Sequence, residues 1–298
     1  MNLGFVLLLV FSATGCFAQK IAITFDDLPL NGDLPPGVTR TEIARDAVAI
    51  LKKNHVPPAY GFVNATKLEG NPDAAEALRI WAASEPVGSH TYSHLDLNAN
   101  PAEAFEREIE QNEPALELLS PDRDWHWLRY PYLREGDTVE KRRAVRAYLA
   151  AHGYKIAQVT IDWEDYLWNS AYARCVVKND TKSMAWLKSS YMDLASSYLD
   201  LGQQLAKLTF RHDIHHVLLL HLGAYTGTIL PDVLELLREK GFTLVTLEEA
   251  QRDQAYNSDP DAGSKYGGTL LELWMEARGA KFPAVKEKPY KELAEICR

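Results

Sequence analysis

Cysteine is scarce in this sequence, three residues among 298, which excludes a small disulfide-dense scaffold. A chain of this length buries roughly three quarters of the surface its unfolded form exposes, so it needs no covalent staple merely to fold. Runs rich in Lys or Arg are missing, and 32 basic against 41 acidic residues give a formal charge of −9. That balance offers nothing to a phosphate backbone and excludes nucleic acid as a partner. Internal repeats and low-complexity segments are absent as well. No apolar run is long enough to cross a bilayer as a mature helix, so an integral membrane domain is not expected. What remains is ordinary globular material, 46% hydrophobic and 24% charged.

The N-terminus is different. Leu3 to Phe11 is almost wholly apolar and is followed by the small residues Ser12, Ala13, Thr14 and Gly15, then Cys16, Phe17 and Ala18. Residues 1–18 therefore read as a secretory signal peptide cleaved after Ala18. Ala13-Thr14-Gly15-Cys16 also resembles an imperfect lipoprotein site. The expected location is the periplasm or the exterior. Removing the leader leaves Cys175 and Cys297, which form either a bridge or two buried thiols; spacing alone does not choose.

From Lys20 onward short apolar runs alternate with helical patterns. Strands are expected at Ile21–Phe25, Tyr60–Val63, Pro86–Gly88, Trp125–Leu128, Ile156–Ile161, Val217–Leu220 and Thr243–Leu247. Helices fall between most of them, which predicts βαβ units and a parallel α/β sheet. Several strands lack polar alternation, as strands covered on both faces do. Residues 164–216 separate the fifth and sixth strands by more than one crossover requires. Leu187, Tyr191, Leu194 and Tyr198 recur there at helical spacing, predicting a long helix inside the insertion. The expected organisation is a domain over 19–250 carrying that helical insertion, then a helical C-terminal extension over 251–298.

Chemistry-bearing residues gather at predicted strand ends. Asp26 and Asp27 close the first strand, as turn residues or as a cation ligand beside a substrate-facing carboxylate. His90 and His94 stand four apart, a spacing that lets two imidazoles grip one metal, although chance alone supplies about 0.3 such pair. Arg129 can hold a carboxylate ionised and fixed. Asp162 follows the fifth strand, and His221 ends the sixth, where a carboxylate neighbour would make it a general acid near neutral pH. Six such residues, Asp26, Asp27, His90, Arg129, Asp162 and His221, share the carboxyl edge of the strands, where parallel α/β folds bind ligands.

Five motifs in order then resemble the polysaccharide deacetylases, carbohydrate esterase family 4, also called NodB-like. They are Thr24-Phe25-Asp26-Asp27, His90-Thr91-Tyr92-Ser93-His94, Arg129-Tyr130-Pro131-Tyr132, Asp162-Trp163 and Leu219-Leu220-His221. The resemblance runs from Ile21 to Leu247. It implies a distorted (β/α) barrel of about seven parallel strands and a divalent metal, usually zinc, on Asp27, His90 and His94. It further implies Asp26 as general base, oriented by Arg129, and His221 as general acid, oriented by Asp162. The Tyr132 backbone N–H would help hold the oxyanion, and the substrate would be an N-acetylated glycan. Trp125, Trp127, Trp163 and Trp168 crowd the third and fourth motifs; one or two are expected on the sugar, Trp163 foremost.

The sequence departs from the family at Leu28, where Gly usually follows the paired aspartates, so a reshaped cleft is expected. Two alternatives share the fold: an amidase on a small cyclic or linear amide, and a carbohydrate-binding protein without catalysis. Oligomeric state is not legible.

Overall fold

The computed structural model describes residues 19–298; the leader assigned to residues 1–18 lies outside the described residues. Among the described residues seven strands form one sheet: β1 Lys20–Asn31, β2 Gly61–Val63, β3 Val87–Ser89, β4 Trp127–Leu128, β5 Lys155–Ile156, β6 His216–Gly223 and β7 Thr243–Val245. Every pairing is parallel, in the order β5-β4-β3-β2-β1-β6. β7 pairs with Lys20 to Ala22 of β1. Since β6 runs along the opposite edge from Ile21, β7 and β2 share one edge of β1 in succession.

The expected fifth strand is split. After β5 the chain crosses to β6, where Ile161 bridges Leu218 and both Thr160 and Ile161 donate to the Val217 carbonyl. That crossing curls the sheet into a distorted (β/α) barrel. Ile21, Ala22, Ile23 and Phe25 are all buried, which explains why β1 shows no polar alternation.

The helices are α1 Arg40–Lys53, α2 Pro72–Ser84, α3 Ala102–Leu119, α4 Val139–Ala151, α5 Leu167–Val177, α6 Thr181–Phe210, α7 Thr226–Glu239, α8 Leu247–Ala250, α9 Leu270–Ala277 and α10 Tyr290–Glu295. The 164–216 insertion is helical, as expected, and consists chiefly of α5 and the 30-residue α6. Leu187, Tyr191 and Leu194 bury their side chains in the core, and Tyr198 packs against it. Gly202 lets α6 lie close to the crossing segment, because a Cβ there would stand 2.6 Å from Ile161 Cγ1. No helix among the described residues is long and apolar enough to cross a membrane.

The tail doubles back across the molecule. α9 buries Leu271 and Met275 with Leu205, Ala206 and Ile214. The irregular stretch 281–289 follows, then α10, and a disulfide joins Cys297 to Cys175 of α5. The bridge, one of the two arrangements open from the sequence, is supported by Arg174, which donates to the carbonyls of Leu293 (2.6 Å) and Ile296 (3.2 Å).

Candidate active site

A cleft of about 830 Å³ opens at the carboxyl edge of the strands. Its floor begins at the end of β1, where register with both neighbours shifts after Phe25 and Asp26. In a regular strand adjacent side chains point to opposite faces. The shift, with Asp27 at φ 66°, overrides that rule and brings both carboxylates to the cleft. Leu28 turns the other way. It is fully buried, and its methyl fills the space a Cβ on Gly61 would need (2.4 Å). The expected reshaping of the cleft by Leu28 does not occur, because its bulk is spent in the core.

Asp27, His90 and His94 each turn one ligand atom inward, all within 4.8 Å of one another. Asp27 Oδ1 stands 3.9 Å from His90 Nε2 and 3.5 Å from His94 Nε2. His90 Nδ1 lies 2.8 Å from the Arg129 carbonyl, an acceptor that places the proton on Nδ1 and leaves the Nε2 lone pair inward. Burial, the main influence, lowers the His90 pKa to about 3 and that of His94 to about 4, so both rings are neutral near pH 7. Burial would raise the Asp27 carboxyl, but Lys67, His221 and the two imidazoles hold it well below the usual range. Lys67 Nζ donates to the Asp27 carbonyl (2.8 Å) and stands 3.4 Å from Oδ1. Asn31 donates to Asp27 Oδ2 (2.8 Å) and accepts in turn from Asn169 of α5 (3.1 Å).

Asp26 lies beside this triad, its Oδ2 3.7 Å from His90 Nε2. Arg129, also buried, donates to Asp26 Oδ1 (2.9 Å), to Thr24 Oγ1 (3.0 Å) and to the Ala157 carbonyl (2.7 Å), with its guanidinium 4.6 Å from the Phe62 ring centre. Burial raises the Asp26 pKa, and Arg129 and His221 oppose it.

Two expected placements are corrected. The carboxylate on His221 is that of Asp165, not Asp162: Asp165 Oδ1 is 2.7 Å from Nδ1, and Oδ2 accepts from the His221 backbone N–H at 2.9 Å. Burial would lower the His221 pKa; Asp165, with Asp27 and Asp26 behind it, lifts it to about 9 instead. Asp162 lines the cleft, where burial raises it to about 7 and its Oδ1 accepts from the Glu164 N–H (2.7 Å). Trp163 does not reach the cleft. It is fully buried, packed edge-on against Tyr191, because the crossing segment sends it under α6; Trp127 and Trp168 are core residues too.

Tyr132 sits in the single turn Pro131–Leu133, its backbone at φ 58° and its ring edge-on to His94 at 4.4 Å. Asp27, His94, Tyr132, Leu133 and Glu164 all line the cleft with left-handed backbones. Such conformations cost of order 1–3 kcal/mol each and concentrate where function fixes geometry. Glu164 is held by Lys288 Nζ (2.7 Å) and the Tyr290 hydroxyl (2.8 Å), so the tail supports the loop that carries Asp165. A lone Lys67, Glu164 or Lys288 carries no local signature, and none was legible as a site residue. Asp165 had one signal, a second aspartate three residues beyond Asp162.

Buried acid and base groups around convergent donors, on the carboxyl edge of a parallel barrel, are the layout of an active site. Residues 17–170, just over half of the chain, match the family described as polysaccharide deacetylase, and the chain belongs to that family. A chitin deacetylase of Colletotrichum lindemuthianum is 25% identical over 250 residues, spanning 80% of this chain and 81% of that relative. A chitin deacetylase of Arthroderma benhamiae is 29% identical over 147 residues, 49% of this chain but only 35% of the relative. Among solved structures, a mutant CE4 family pseudoenzyme with restored enzymatic activity superposes with a TM-score of 0.51 at 15% identity, covering 78% of this chain and 68% of that one. That likeness is one of fold.

Proposed function

We propose that this protein removes acetyl groups from N-acetylated sugars of a glycan, using a divalent metal, zinc by preference, on Asp27, His90 and His94. The observation that carries the proposal is the convergence of those three donors beside Asp26 and His221. One ionised carboxylate and two neutral imidazoles are a donor set that suits zinc and leaves positions open for water and substrate. When bound, such an ion polarises the amide carbonyl and acidifies a water.

The chain's own residues supply the rest. Asp26, anchored by Arg129, accepts the proton of the attacking water. The Tyr132 backbone N–H contributes to the site where charge develops on the carbonyl oxygen. His221, kept protonated by Asp165, gives its proton to the sugar nitrogen as the C–N bond breaks, releasing acetate and a free amine. Asp165 takes the orienting role expected of Asp162. The core position of Leu28 removes one motive for the small-amide alternative. The Cys175–Cys297 bridge supports export to the periplasm or exterior, where disulfides persist.

Acetate release from N-acetylglucosamine oligomers tests the proposal. Activity should vanish on chelation and return with zinc, and Asp26→Asn should abolish turnover while keeping the metal. Full activity in the stripped protein would overturn the metal role.

A further inference from the structure

Five aromatic side chains are substantially exposed among the described residues: Tyr132, Tyr166, Tyr266, Phe282 and Tyr290. The first four line the cleft, and Tyr290 is bonded to Glu164 in its wall. Single exposed apolar residues are ordinary, whereas a set gathered around one cleft marks a binding surface.

The four occupy two zones. Tyr132 and Tyr166 stand at the reacting centre, edge-on to His94 (4.4 Å) and His221 (5.2 Å). Tyr266 and Phe282 make no ring contact with either histidine, are 74% and 44% exposed, and come from beyond the segment that matches the family. Tyr266 rides on a loop fastened to the Tyr132 turn, where Gly268 N–H donates to the Leu133 carbonyl (3.2 Å) and Arg134 Nε to the Tyr266 carbonyl (3.4 Å). Phe282 rides on the irregular stretch whose far end Lys288 fastens to Glu164. Both rings belong to anchored segments and stay exposed, with Lys265 Nζ over one face of Tyr266 at 5.6 Å from the ring centre. The C–H faces of pyranose rings suit such platforms.

Charge narrows the occupant. The cleft is lined by the carboxylates of Asp26, Asp27, Asp162, Glu164, Glu272 and Glu276, and its one Lys, Lys288, is already paired with Glu164. Glu272 and Glu276 have no basic partner among the described residues, so a polyanion would meet repulsion on that side of the cleft. A volume of about 830 Å³ also lies toward the upper end of small-ligand sites, more room than one sugar needs.

We propose that Tyr266 and Phe282 are sugar-binding positions outside the reacting centre, and that the substrate is an uncharged N-acetylhexosamine chain of three or more rings. The inference rests on the deacetylase function proposed above and adds the length and charge of its substrate.

The test compares N-acetylglucosamine with its trimer, tetramer and pentamer, and with an N-acetylated polymer bearing uronates. In the zinc-loaded protein kcat/KM should climb steeply from monomer to tetramer, and the uronate polymer should be poor. Tyr266→Ala and Phe282→Ala should each shrink the tetramer-to-monomer ratio by about tenfold, chiefly through KM. A flat length profile, an unchanged ratio in both variants, or preference for the uronate polymer overturns the inference. Calorimetric binding of the tetramer to the Asp26→Asn protein, with and without Tyr266→Ala, separates the two proposals. Absence of acetate release from every glycan defeats the deacetylase function, while tetramer affinity that falls with Tyr266→Ala still upholds the aromatic positions.

Discussion

Asp165 grips His221 twice, through the ring Nδ1 at 2.7 Å and the backbone N–H at 2.9 Å. One carboxylate therefore sets both the orientation and the charge of the imidazole. Asp165→Asn should lower kcat on the amide by roughly a hundredfold with little change in KM, the scale of losing a positioned general acid. Asp162→Asn should leave the His221 geometry intact. Kinetics of the two variants side by side test the assignment.

The same pair predicts a pH signature. His221 is raised from 6.5 to about 9 in the folded, metal-free protein. Its folded pKa exceeds the unfolded one, so the pair's contribution to stability is complete below about 6.5 and disappears as pH rises through about 9. Nuclear magnetic resonance titration of the ring should report that value, and Asp165→Asn should return it toward 6.5. A wild-type midpoint near 6.5 would contradict the ion pair.

Arg129 and Asp26 are both almost fully buried. Breaking such a pair from one side leaves an uncompensated charge and costs about 3–5 kcal/mol. Arg129→Met should show a loss of that order in denaturant unfolding, with Asp26 shifted further upward. A stability change below about 1 kcal/mol would mean that solvent reaches the pair.

Metal binding should register as stability. At a free zinc concentration a hundredfold above Kd, linkage adds about 2.7 kcal/mol to the folded state. His94→Ala should abolish both the thermal shift and stoichiometric zinc, measured by elemental analysis. Asp162→Asn should retain both.

The tail's fastening can be measured as well. Replacing Cys175 and Cys297 together with Ser removes a cross-link across 122 residues and should cost about 3–5 kcal/mol. Tyr290→Phe, which loosens only the contact with Glu164, should cost about 1 kcal/mol.

How much of this was legible in the sequence follows from what each residue depends on. β1, β6 and the carboxyl-edge position of Asp26, Asp27, His90 and His221 followed from local apolar runs, since a strand end is a property of its own neighbourhood. The long α6 followed from helical periodicity in the same way. The partner of His221 did not, because Asp162 and Asp165 differ only in how the chain turns after its bridge to β6, a tertiary matter. Trp163 misled for that reason too: a large aromatic beside a motif is buried or exposed according to what packs above it, here α6. Lys67, Tyr266 and Phe282 come from turns and irregular segments with no periodicity, so nothing in their vicinity announced the cleft.

The bond between Cys175 of α5 and Cys297 also makes the intervening chain a closed loop. A protease cutting once anywhere between Cys175 and Cys297, including the irregular 281–289 stretch, leaves two fragments still joined. On electrophoresis the nicked protein would migrate as a single band until a thiol reductant is added, and the severed tail would stay beside the Glu164 loop it braces.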